Sequence, residues 1–122
     1  MDETYSTQQM ATITGISAHT LRYYEKINLL LDIARDKNGY RRYSKADVEW
    51  VGFLCQLKAT GMPLAQMQLF AELRHQGGHT AQQRREMLES HRFKVVDQIE
   101  KLHDCLKIID FKIERHRQKE SS

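Results

Sequence analysis

Cysteine, proline and long apolar runs are scarce in this chain, and each scarcity removes a class of protein. Its 122 residues hold two cysteines and one proline. Cys55 and Cys105 stand alone, forming neither the even set of a disulfide framework nor the CxxC of a metal site. A single proline with six glycines argues against a disordered or loop-built chain. No apolar run approaches the roughly 20 residues of a membrane span. The N-terminal stretch lacks the basic and apolar regions of a signal peptide, so a cytoplasmic protein with no membrane partner is expected. Strong net charge is missing too, since +3 is too small to argue for a polyanionic partner by itself.

What is present is unevenly distributed. Between positions 35 and 45 lie five basic residues, Arg35, Lys37, Arg41, Arg42 and Lys45, against one acid, Asp36. Upstream, Ser6-Thr7-Gln8-Gln9 has the form of a capping box. It opens a helix whose Met10, Ala11 and Ile13 can face a core, and Gly15 ends it. Ser17 caps a second helix two residues later. Helix, glycine turn and capped helix is the pattern of a helix-turn-helix. In the second helix Leu21 and Tyr24 share an inward face, which leaves His19, Thr20, Arg22 and Tyr23 outward or at the rim.

Asn28 is placed to stop that helix in the left-handed region. Leu29 to Ala34 reads as a strand and Tyr40 to Tyr43 as its partner, with Asn38-Gly39 as a tight hairpin turn because both residues accept positive φ. Strand alternation sets Tyr40 and Arg42 on one face and Arg41 and Tyr43 on the other, leaving open which pair faces phosphate. Arg and Lys neutralise phosphates and Tyr hydroxyls hydrogen-bond them, so a helix plus a basic, phenolic wing fits duplex DNA. The surface expected from the residues holds His19, Thr20, Arg22, Tyr23, Lys37, Tyr40, Arg41, Arg42 and Tyr43. His19 and Thr20, near the helix start, are placed to approach base edges.

Ser44, with Asp47 at N3, caps a third helix with an apolar stripe of Trp50, Val51, Leu54, Cys55 and Leu57. Gly61 stops it, and Pro63 starts a fourth helix running to about Arg74. Gln76-Gly77-Gly78-His79 is the clearest hinge, and Thr80 to Gln83 forms another capping box. Beyond it, Leu88, Val95, Ile99, Leu102, Leu106, Ile109 and Ile113 recur at coiled-coil spacing, interrupted by Arg92. A helix from about Ala81 to Arg117 spans roughly 55 Å, too long for so small a body to cover. Its seam implies a second copy in a two-fold dimer. The expected division is residues 1–76 as a winged helix-turn-helix domain with linker helices, 80–117 as the dimerisation helix and 118–122 as a tail.

Leu21-Arg22-Tyr23-Tyr24-Glu25, Leu29-Leu30, Gly39-Tyr40-Arg41-Arg42-Tyr43, Asp47 and Thr60-Gly61-Met62-Pro63-Leu64 together resemble the MerR family of bacterial transcriptional regulators, in register from about Tyr5 to Ala71. The resemblance implies a mainly α protein: a winged helix-turn-helix followed by a long helix that dimerises as an antiparallel coiled coil. It also implies a pseudo-palindromic promoter operator, RNA polymerase as a partner there, and DNA distortion driven by an effector. Position by position, Arg22, Tyr23 and Tyr24 match backbone-contacting residues, Arg41 and Tyr43 match the wing, and Lys58 matches a basic residue near the operator centre. The resemblance thus gives Tyr24 a share in DNA contact as well as in the core. Asn28 stands where the family usually has Gly, and Asp32 lies near its usual Pro.

The effector is not legible. Metal-sensing relatives carry thiols where this chain has Gly78-His79-Thr80 and Gln118 to Ser122, so no metal and no cofactor is expected. His75, His79, His91, His103 and His116 read as exposed helix residues rather than ligands. No drug-binding domain is expected after the long helix. Cys55 is a candidate sensor because some electrophile-responsive members carry a Cys in this helix, though Gln56 is the aligned position. A small buried hydrophobe is the favoured reading of Cys55, and packing that of Cys105. An enzyme is not expected, because no base, nucleophile and orienting group cluster and no phosphate loop appears. The rival readings are a helical adaptor and an architectural or recombination-accessory DNA-binding protein without an effector.

Overall fold

Polar residues start the N-terminal helices. In the computed structural model, which describes residues 3–122, Ser6 precedes α1 (Thr7–Thr14) and shares a reciprocal capping box with Gln9. Residues 1 and 2 of the expected first domain lie outside the described residues. The Ser17 hydroxyl accepts from the Thr20 amide to open α2 (Ala18–Lys26). Ser44 and Asp47 form a second reciprocal box at the head of α3 (Lys45–Ala59). Each cap satisfies an amide the helix leaves orphaned, worth about 1 kcal/mol.

The ends of α2 and α3 share one device. At the close of α2 the Leu29 amide donates to the Tyr24 carbonyl and the Asn28 amide to that of Glu25, with Asn28 at φ 64°. At the close of α3 Met62 donates to Leu57 and Gly61 to Lys58, with Gly61 at φ 88°. Both are Schellman motifs. In both, the residue after the left-handed position, Leu29 or Met62, is buried. The motif therefore turns the chain and plants an apolar side chain in the core at once.

That device corrects the expected strand from Leu29 to Ala34. The amides of Leu29 and Leu30 both donate to the Tyr24 carbonyl and so serve the end of α2. Only Ala34–Arg35 (β2) enters the ladder. The sheet has a further strand that sequence reading missed, Thr4–Tyr5 (β1), and its centre is β3 (Arg41–Ser44). Both pairings are antiparallel, with Tyr5 opposite Tyr43 and Arg35 opposite Arg41. A two-residue strand carries no alternation, which is why periodicity did not find it.

The hairpin turn also differs from expectation. The Gly39 amide donates to the Asp36 carbonyl, the Asp36 amide donates to the Tyr40 carbonyl, and the Asp36 carboxylate accepts from the amides of Asn38 and Tyr40. Gly39 alone in the turn has positive φ, 85°. This is a three-residue loop ending in a left-handed glycine, not a two-residue turn with both residues left-handed.

Two units follow from the contacts, residues 1–85 and 86–122. The core of the first gathers Met10 from α1, Leu21 and Tyr24 from α2, Leu29 and Leu30, Tyr43 from β3, Trp50, Val51, Leu54 and Leu57 from α3, and Met67 and Phe70 from α4 (Leu64–Gln76). Ile13 was expected inward but is 52% exposed. At the centre, Trp50 stacks on Phe70 at 5.7 Å, its Nε1 donates to the Leu29 carbonyl at 2.8 Å, and the Arg74 guanidinium lies 4.8 Å from its ring. Gln68 donates to the Ile27 carbonyl, tying α4 to the end of α2.

Beyond Gly77 a short 3-10 turn, Gly78–Thr80, leads into α5 (Ala81–Ser121). Thr80 is buried, its hydroxyl within reach of the carbonyls of Leu73 and Gly77 and of Arg84 Nε. The expected hinge is therefore pinned by a threonine. The α5 helix has 41 residues, about 60 Å of helix, and takes in all but the last of the positions 118–122 expected as a tail. No helix is long and apolar enough to cross a membrane among the described residues.

Candidate nucleic-acid interface

The second helix of the helix-turn-helix, α2, divides its exposed side chains between two concave surfaces. On one, Arg22 meets Tyr40, Arg41 and Arg42 of the wing, together with Ser6, Thr7 and Gln8 at the start of α1. On the other, Tyr23 and Tyr24 meet Lys58 of α3, over an apolar floor that includes Leu54 and Met62. Sequence neighbours Arg22 and Tyr23 point about 100° apart on the helix, so one turn serves both surfaces.

The charged groups differ in how far they are committed. Arg22, Lys37 and Lys58 are exposed and have no hydrogen-bond or ion-pair partner among the described residues. Arg41 gives its Nε to Glu25 Oε1 at 2.8 Å. Arg42 points to the other side of β3 and donates to the Thr4 hydroxyl and carbonyl, both at 3.1 Å. Arg35, counted in the basic cluster, donates to the Gly39 carbonyl and braces the turn. Strand alternation thus ties one wing arginine to α2 and the next to β1.

The tyrosines separate more sharply. Tyr40 is 71% exposed and Tyr23 49% exposed, whereas Tyr24 is buried to 8%. Tyr43, expected on the wing surface, has no accessible surface at all. That placement is corrected: Tyr43 is core. It sits opposite Tyr5 in the ladder, with its ring fully covered. Burial raises its phenol above the ordinary 10.0, against smaller lowering influences from Thr7 and Arg41. Although Thr7 is near, the Tyr43 hydroxyl has no hydrogen bond of acceptable geometry.

His19 is exposed at the start of α2, and the Thr20 hydroxyl oxygen accepts from Ser17 Oγ at 3.0 Å. Cys55 is half-buried, and Cys105 is exposed rather than packed within this chain. No group of three or more His, Cys, Asp or Glu side chains could hold a metal among the described residues. Sequence reading also passed over Glu25, whose partner lies sixteen residues away.

In the second unit the heptad positions are open. Ile99, Leu102, Leu106, Ile109 and Ile113 are exposed by 45–65%, while Leu88 and Val95 are half-covered. Phe93, Ile108 and Phe111 are exposed off that seam.

A helix-turn-helix with a wing strapped to its second helix, followed by a long helix with an open apolar seam, defines a winged helix-turn-helix regulatory protein. The particular family is equally clear. Residues 5–73 match the model of the MerR HTH family of regulatory proteins, and residues 48–110 match the model described as MerR, DNA binding. The chain belongs to the MerR family. An HTH-type transcriptional regulator of Haemophilus influenzae is 38% identical over 110 residues, 90% of this chain and 82% of that one. The crystal structure of HiNmlR, a MerR family regulator lacking the sensor domain and bound to promoter DNA, superposes with a TM-score of 0.86. It is 35% identical and is matched over 98% of this chain and 94% of its own. A MerR family regulator from Bacillus thuringiensis gives 0.81 at 25% identity, over 93% and 99% of the two chains.

Proposed function

We propose that this protein is a homodimeric, sequence-specific DNA-binding transcriptional regulator. It would recognise a pseudo-palindromic promoter operator alongside RNA polymerase and act through effector-dependent distortion of the DNA. The observation that carries the reading is the set of uncommitted cations and phenols around α2: Arg22, Tyr23, Tyr40 and Lys58, with Lys37 at the wing tip. These groups would hold phosphates, while His19 and Thr20 approach base edges. Tyr24 contributes at most its edge, through the surface it shares with Tyr23 and Lys58. The solved relative bound to promoter DNA, alike over nearly the whole chain, supports the same use of this surface.

The homodimer rests on the open seam of α5. Five large aliphatic side chains exposed along one line of a helix are costly in water, and a second copy of the same helix covers them by symmetry. Two half-sites then follow from two recognition helices.

The test is binding to a promoter duplex across a salt series. Wild type is expected to show a log–log slope of several units, and Arg22→Ala to lower affinity about tenfold and flatten the slope by about 0.9. Equal affinity and slope in Arg22→Ala would show that the surface lies elsewhere.

A further inference from the structure

We infer that Glu25 is a positioning residue for DNA recognition: it orients Arg41 and thereby fixes the wing against the recognition helix. The inference rests on the DNA-binding function proposed above.

An anion bonded to an arginine at the edge of the proposed phosphate-binding surface is unexpected on electrostatic grounds. Glu25 lies in the last turn of α2, three residues beyond Arg22 on a neighbouring strip of the helix. Its carboxylate accepts from Arg41 Nε at 2.8 Å, with both side chains largely covered, 22% and 24% exposed. Coulomb's law with nearby DNA alone would make Glu25 unfavourable, because it repels the same phosphates that Arg22 attracts. Its presence makes physical sense if it organises something else.

The wing needs organising. On one side β3 pairs with the two residues of β2, and on the other with the two of β1. Such short ladders define orientation weakly. Arg41 and Arg42 add side-chain straps in opposite directions, one to α2 through Glu25 and one to Thr4. Arg41 has five N–H donors, and the bond to Glu25 commits one of them. The guanidinium plane is thereby fixed with its terminal nitrogens free, in the concave surface that also holds Arg22. The bond also offsets repulsion between the clustered guanidinium groups.

The sign of the effect separates positioning from bulk charge. Under charge alone, Glu25→Ala removes an anion and strengthens binding to DNA. Under positioning it weakens binding, by about tenfold, while the salt slope stays within about half a unit of wild type because no phosphate contact is removed. In an Arg41→Ala background the same Glu25→Ala change should cost less than about twofold, the mark of two residues acting through one bond. Amide hydrogen exchange of the free protein at Gly39, Tyr40 and Arg41 should accelerate in Glu25→Ala. Exchange across α3 should stay as in wild type, which excludes general unfolding.

Equal or tighter binding by Glu25→Ala would overturn the inference, as would an undiminished loss in the Arg41→Ala background. The exchange measurement needs no DNA. A faster-exchanging wing in a protein that binds no duplex would therefore sustain the strap and reject the DNA-binding reading, whereas an unchanged wing would reject the strap.

Discussion

The two units solve the same problem in opposite ways. In residues 1–85, α1 to α4 and the sheet close around Trp50, and fifteen apolar side chains are buried to 8% exposure or less. In residues 86–122 no residue reaches that degree of burial, although leucine and isoleucine recur down one line. The first unit finishes its core within the chain, whereas the second leaves its apolar line uncovered. Apolar area removed from water contributes roughly 25 cal/mol per Å², and an isolated helix gains almost none of it. The difference teaches where self-sufficiency ends: stability of the first unit should be a property of the molecule, and order in the second a property of its concentration.

The largest test breaks the second unit while sparing the first. Leu102→Asp with Leu106→Asp should convert a dimer into a monomer in sedimentation equilibrium and cut affinity for a two-half-site duplex about 100-fold, since the second recognition helix no longer arrives tethered. The melting of residues 1–85 should stay as it was. A wild-type protein that sediments as a monomer at all concentrations would remove the contrast.

A smaller effect, confined to the first unit, comes from the end of α2. Asn28 holds φ 64°, a region that a β-branched residue adopts only at about 1–2 kcal/mol. Asn28→Val should lose that much in urea unfolding, and Asn28→Gly should stay within about 1 kcal/mol of wild type. Neither change should depend on protein concentration, in contrast to the seam pair.

The smallest effect is a pH dependence. Burial raises the Tyr43 phenol above the ordinary 10.0, so the unfolded chain gives up this proton first. The stabilisation tied to it is complete below about pH 10 and is lost as pH climbs through the higher folded value. Tyr43→Phe should unfold on a flatter curve above pH 10. At neutral pH it should be about as stable as wild type or slightly more so, because the hydroxyl it removes has no hydrogen bond. A parallel decline in both proteins would show that Tyr43 ionises equally in either state.

Much of this molecule was legible residue by residue. Ser6, Ser17 and Ser44 are local devices, and so are Asn28 and Gly61. A cap or a left-handed stop depends on atoms within a few residues, and that is why its position could be read directly. The heptads of α5 were equally clear because helical periodicity is a local geometric fact. Thr4–Tyr5 was not legible, since a strand of two residues exists only because β3 lies beside it. Nor was the fate of Leu29 and Leu30, where strand-like apolar residues spend their amides on a helix terminus.

The candidate site divides along the same line. Its residue types and their grouping near α2 and the hairpin were visible in the chain, as was the family they resemble. Which side of β3 faces the core was not. Tyr43 and Arg41 share one face by alternation, yet one is sealed in the core and the other reaches Glu25 at its margin.

By itself the sequence determined the order of helices and turn, the basic wing, the open seam and the family. These follow from short-range stereochemistry and from the spacing of residue types. Only the tertiary structure decided that Tyr43 is core, that Arg41 and Arg42 strap the wing in opposite directions, and that Glu25 is the partner of Arg41. Those outcomes depend on pairings across sixteen residues and more, where packing rather than local propensity sets which groups meet.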